Sequence, residues 1–164
     1  MKTIIDLNRI KIKSRFFTCF WAAASILCIA AIFFFSSKNG EQSAEMSDFA
    51  TGVLFGGIDA SVGETTPFVE DINTFVRKCA HFLVFSMLGF CIANTARQFT
   101  GNKKCIFFIS SGAGSLYGAI DEWHQYFVPG RSCMWQDWLL DTAGVLFGVG
   151  AAFFAVWIIR KIRR

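Results

Sequence analysis

The sequence predicts an all-α fold: an integral membrane four-helix bundle with a short external amphipathic helix. Composition is the first reason. Hydrophobic residues make up 54% of the chain and charged residues 17%, against roughly a quarter charged in soluble domains. Twenty Phe and five Trp in 164 residues are more aromatic surface than a soluble chain of this length can hide, and the length fits one domain. The second reason is four long apolar runs. The third is that basic and acidic segments alternate between those runs. The net charge of +4 does not point to nucleic acid, because the basic residues form no stripe and sit in short segments between and beyond the apolar runs.

Residues 1–15 form a basic N-terminus with Lys2, Arg9, Lys11, Lys13 and Arg15 against one acid, Asp6. The run from Phe16 to Phe35 carries no charge. Twenty residues at helical rise reach roughly 30 Å, the thickness of the hydrocarbon core. A cleaved signal would have a shorter apolar region ending in small residues. This one ends in Phe33-Phe34-Phe35, so residues 16–36 are expected to be a retained first span. Residues 36–66 then turn polar. Within them Met46, Phe49, Ala50, Val53 and Leu54 recur at helical spacing, which predicts a short amphipathic helix on the membrane surface or on the bundle.

Thr66-Pro67 signals a helix start, with a cap residue and then proline at the first position. Glu70 and Asp71 suit its first turn. That helix can run to Ala96, about 45 Å, so its first turns should stand outside the hydrocarbon and the span itself cover 77–96. Arg97 to Lys104 reads as a basic turn. Residues 105–121 form the third span and 138–159 the fourth. Gly114 and Gly118, and Gly144 and Gly148, are each four apart, a spacing that lets helices approach closely. Residues 160–164 are a basic tail.

Charge fixes the expected topology. Twelve of the 16 Lys and Arg fall in the N-terminus, the 97–104 turn and the tail, and eleven of the 12 acids fall elsewhere. Basic segments face the cytoplasm. Both termini should be cytoplasmic, with residues 36–76 and 121–137 external. The six cysteines show no C-x-x-C pair and no zinc spacing, and most lie in apolar runs as small hydrophobes.

The densest chemistry lies in Asp121-Glu122-Trp123-His124-Gln125, followed by Pro129-Gly130-Arg131. Counting helical rise from the cytoplasmic edge puts His81 roughly 24 Å up, Asp121 roughly 25 Å up and Asp141 roughly 28 Å up. Ionisable groups at one depth should face each other inside the bundle. The expected cluster is therefore His81, Asp121, His124 and Asp141, with Glu122 and Gln125 beside it. Arg77, Lys78 and Arg131 flank it. They either neutralise Asp121, Glu122, Asp137 and Asp141 or bind an external phosphate or carboxylate.

His124 with Asp121 or Glu122 is the candidate acid-base set if the protein is an enzyme. Cys133 is the nearest thiol, more simply an incidental one. Two histidines with carboxylates have the makings of a metal site, but carboxylate–histidine hydrogen bonds explain the same residues, and no metal or cofactor is expected. Trp123, Trp135 and Trp138 read as an aromatic belt at the interface.

These residues resemble the VanZ-like family of small bacterial membrane proteins. The resemblance runs through Phe34-Phe35-Ser36-Ser37, Ser43, Ser47, Arg77-Lys78-Cys79-Ala80-His81-Phe82 and Leu88-Gly89. It is strongest across Ser115 to Gln125 and Pro129-Gly130-Arg131-Ser132, and ends with Asp137, Asp141 and Gly144. A VanZ-like membrane domain over 16–159 is implied. So is a multi-pass protein of the bacterial plasma membrane that affects susceptibility to teicoplanin-type glycopeptides. Its partners would be membrane lipids and a lipid-linked envelope precursor or the glycopeptide itself, with no nucleic acid. The resemblance supplies no reaction. A membrane enzyme acting on a lipid- or glycan-linked phosphate and a non-catalytic scaffold are the alternative readings. Asp141 departs from the family pattern, where that position is more often Asn, so this chain carries an extra acid. Cys133 matches no fixed position.

Overall fold

In the computed structural model, which describes residues 2–55, 67–131 and 133–163, the chain forms five helices and, among those residues, no strand. They are α1 (Lys2–Ser36), α2 (Gly40–Phe55), α3 (Pro67–Phe99), α4 (Lys103–Gln125) and α5 (Trp135–Ile162). The expected Thr66 cap, the acids Asp59 and Glu64, and Ser132 lie outside the described residues. So do the side chains of Ser47, Leu54, Glu70 and the basic residues before Arg15. Arg15–Ser36, Asp71–Phe99 and Trp135–Ile162 are each long and apolar enough to cross a membrane. The third expected span belongs to α4. At 23 residues it has the length, but Ser110, Ser111, Ser115, its glycines and the Asp121-Glu122 pair make it more polar than the other three.

The basic turn is shorter than the sequence suggests. α3 continues to Phe99 and α4 begins at Lys103. The Asn102 side chain accepts hydrogen bonds from the Lys104 and Cys105 backbone amides at 3.0 and 3.4 Å. This satisfies two of the donors a helix start leaves free. A connection this short makes α3 and α4 antiparallel neighbours.

The largest interface joins α3 to α5, with α1 and α4 packed around that pair. Phe85, Leu88, Val145 and Val149 are fully buried in it. Without a hydrophobic force between helices in lipid, close van der Waals contact must hold them. The glycines permit it. A Cβ on Gly144 would stand 2.6 Å from the Phe82 carbonyl oxygen, and one on Gly148 only 1.8 Å from that of Ser86. Gly89 makes the reciprocal approach to Val145, and Gly114 receives the Val145 side chain.

Polar ties supplement this packing. Trp138 Nε1 donates to the Ser115 carbonyl at 3.0 Å, the Ser115 and Thr142 hydroxyls meet at 2.9 Å, and Tyr117 donates to the Ile29 carbonyl at 2.8 Å. Trp138 is thus an inter-helix strut and not only a belt residue, whereas Trp123 and Trp135 are exposed. The perimeter is apolar: Phe20, Leu27, Phe34, Leu83, Met87, Phe108, Leu116, Phe147 and Phe154 all point outward. A continuous apolar rim of this kind needs lipid to cover it.

The amphipathic helix expected between the first two spans is α2. Its Ala50 is half-buried, Met46 and Ala50 both line a cavity, and Phe49 and Val53 are largely exposed.

Candidate functional site

Three helices deliver the site. From α3 comes His81, from α4 Asp121, Glu122 and Gln125, and from α5 Asp137 and Asp141. Three of the four residues expected at one depth come together. Ligand atoms of His81, Asp121 and Asp141 all lie within 4.8 Å of one another, and both aspartates are buried.

His124 does not join them. Its ring stacks on Phe33 of α1, with centroids 4.8 Å apart, and its Nε2 lies 3.2 Å from Ser37 Oγ. Gln125, one residue on, takes the place expected of it: its Nε2 donates to Asp121 Oδ2 at 2.8 Å. A step of four residues keeps nearly the same helix azimuth, and a step of three swings to the other side of that line. Here that difference turns His124 to α1.

The Asp121 carboxylate has a second donor, Ser36 Oγ, at 2.8 Å. Ser36 is fully buried at the end of α1. Asp141 is different. It is 1% exposed, and neither carboxylate oxygen has a hydrogen-bond partner among the described residues. The His81 ring stands beside it, with Nδ1 3.5 Å from Oδ1.

Glu122 anchors the loop: its Oε2 accepts the Met134 backbone N–H at 3.2 Å, where α5 begins. It lies beyond the 105–121 run. Burial pushes its pKa up to about 7. The Met134 N–H opposes the shift, and the Asp137, Asp141 and Asp121 charges reinforce it.

The flanking cations divide. Lys78 pairs with Asp137 at 3.2 Å, so for Lys78 the neutralising role holds. Arg131 follows the Pro129-Gly130 turn, where Gly130 has φ 75°, a conformation that costs glycine little. The turn returns Arg131 to the bundle, and its guanidinium donates to Ser43 Oγ of α2 at 2.8 Å. Among the described residues its buried Nε has no hydrogen-bond partner, and neither Arg131 nor Arg77 makes an ion pair. Burial and the Arg77 charge lower the Arg131 pKa, against the pull of Asp121, Glu122 and Asp137.

Two cavities meet here. One, of about 170 Å³, is polar, and its lining includes Arg77, Lys78, His81, Glu122, Arg131 and Asp141. The other, of about 220 Å³, is mostly apolar, with Ile32, Phe35, Met46, Val76, Val84 and Phe85 in its walls. Arg77, His81 and Arg131 line both. Ser36 and Ser43 were legible in the sequence only as part of a family pattern. Their roles as partners of Asp121 and Arg131 emerge from the fold. Cys133 is exposed and lines neither cavity.

The fold and site define a helical membrane protein with a charged recess inside its bundle. The VanZ/LLP1 family model matches residues 20–158, and the chain belongs to that family. No curated protein and no solved structure matches it.

Proposed function

We propose that this chain is a multi-pass protein of the bacterial plasma membrane whose external recess binds an anionic amphiphile, and that this binding alters glycopeptide susceptibility. The ligand would be an anionic lipid headgroup or a lipid-linked envelope precursor. One observation carries the reading: a polar and an apolar cavity meet at two arginines that have no ion-pair partner among the described residues. A phosphate would be held by Arg77 and Arg131, which line both cavities, and an attached chain would lie along the apolar side. Planar guanidinium groups suit such an anion better than an ammonium does.

The topology behind this reading has both termini cytoplasmic and α4 as a fourth crossing. Support comes from the three-residue turn between α3 and α4. If α3 crosses, an antiparallel helix of about 34 Å packed along it must return. The enzyme alternative loses its acid-base pair, because His124 faces α1 and not Asp121. Against a pure scaffold stands the burial of Arg131 Nε and the Asp141 carboxylate without hydrogen-bond partners among the described residues, since a purely structural network would satisfy them.

Arg131→Lys is the test. It keeps the charge and removes the fork. Glycopeptide susceptibility should shift toward that of a host lacking the protein, at matched membrane levels of wild type and variant. Equal behaviour of the two would remove the anion-binding role from Arg131.

A further inference from the structure

The recess holds a second feature that anion binding does not use. Asp141 is buried, both its oxygens lack hydrogen-bond partners among the described residues, and it faces a histidine and a second buried carboxylate. An ionised carboxylate left this way is costly, because the lost hydration is not replaced. His81 at 3.5 Å is too far for a good hydrogen bond. That distance is, however, close to the edge of a tetrahedron built on bonds of about 2.1 Å, which is roughly 3.4 Å.

We propose that His81, Asp121 and Asp141 form a binding site for one divalent transition-metal ion. One imidazole and two carboxylates balance a 2+ charge. The imidazole favours zinc and the later first-row transition metals over magnesium or calcium, whose ligands are oxygens. The longest separation within the trio, at most 4.8 Å, closes to a tetrahedral edge with a contraction of about 1.4 Å, within reach of side-chain rotation.

The surrounding groups are arranged as a metal's supporting groups would be. Ser36 and Gln125 both donate to Asp121 Oδ2 at 2.8 Å and so fix the plane of that carboxylate. Such outer partners hold ligating groups in orientation. His81 and Asp141 also line the polar cavity, so the remaining coordination position of a three-ligand ion would open toward it. A water or an anionic oxygen can enter there. Arg131 and Lys78 line the same cavity, but neither makes an ion pair with Asp121 or Asp141. The site stands whether or not the recess takes an amphiphile.

The test uses the full chain, purified in detergent and stripped with a chelator. Zinc is titrated in competition with a chromogenic chelator, and cobalt is added to read ligand-field absorption. Wild type should take up one ion per chain. Loss of an outer partner from a metal site costs 10–100-fold in affinity, so Ser36→Ala should weaken binding about 10-fold and loss of a ligand in Asp141→Asn about 100-fold or more. Asp137→Asn, outside the trio, and Arg131→Lys, the anion-site variant, should leave uptake unchanged.

Thermal unfolding separates lost binding from lost folding. Metal should raise the Tm of wild type. Asp141→Asn removes a buried charge, so it should melt no lower than stripped wild type and show no shift with metal. Wild type that binds zinc and cobalt no better than Asp141→Asn overturns the site. So does equal loss of uptake in Asp137→Asn, which would reduce the cluster to diffuse acidic attraction.

Discussion

Gly148→Ala tests the packing on which the recess depends. Gly148 sits where α5 crosses α3, and an added Cβ would lie 1.8 Å from the Ser86 carbonyl oxygen, 2.7 Å from its carbon and 2.9 Å from the Phe90 nitrogen. That is about 1.6 Å short of ordinary contact, and all three atoms are backbone, so no side chain can rotate aside. The helices must move apart along an interface that buries Phe85, Leu88, Val145 and Val149. Overpacking of this kind costs about 3 kcal/mol at the upper end. Alanine returns about 1 kcal/mol of helix propensity. The net expectation is a loss of about 2 kcal/mol.

Gly150 is the control, in the same helix. No atom of a described residue lies within 4 Å of its added Cβ, so Gly150→Ala should be neutral or stabilise by up to about 1 kcal/mol. Reversible unfolding in mixed micelles, followed by tryptophan fluorescence, measures both. Similar midpoints for the two variants would refute a backbone-contact crossing between α3 and α5.

Two further outcomes follow from the site and the topology. Glu122 has a folded-state pKa raised from 4.5 to about 7, so the native state holds its proton more tightly than the unfolded chain. Its contribution to stability is greatest below pH 4.5 and declines as pH rises toward 7. Glu122→Gln should flatten that decline in unfolding measured across the window, and an unchanged pH profile would show that Glu122 does not titrate there. In sealed cells, an impermeant maleimide should reach exposed Cys133 but not a cysteine placed at Thr100 or Arg164. Labelling of either test position from outside would reverse or break the proposed orientation.

The sequence alone determined the helices and the relative depth of their polar residues. Apolar runs, the Pro67 start and the paired glycines are local signals, and helical rise is constant, so counting from the basic edges put His81, Asp121 and Asp141 at one level. Boundaries were less legible. The 97–104 turn shrank because Asn102 caps α4 with its side chain, a contact that composition does not announce. Azimuth was decided only by tertiary structure. Each residue turns a helix by about 100°, and which direction faces the bundle depends on how neighbours pack. Hence Gln125 meets Asp121, His124 turns to Phe33 on α1, and Ser36 at the end of that helix becomes the partner of a buried acid. The division of the cations was likewise hidden. Lys78 and Arg77 are adjacent in the chain, yet only the fold gives one of them to Asp137 and leaves the other, with Arg131, on the wall shared by two cavities.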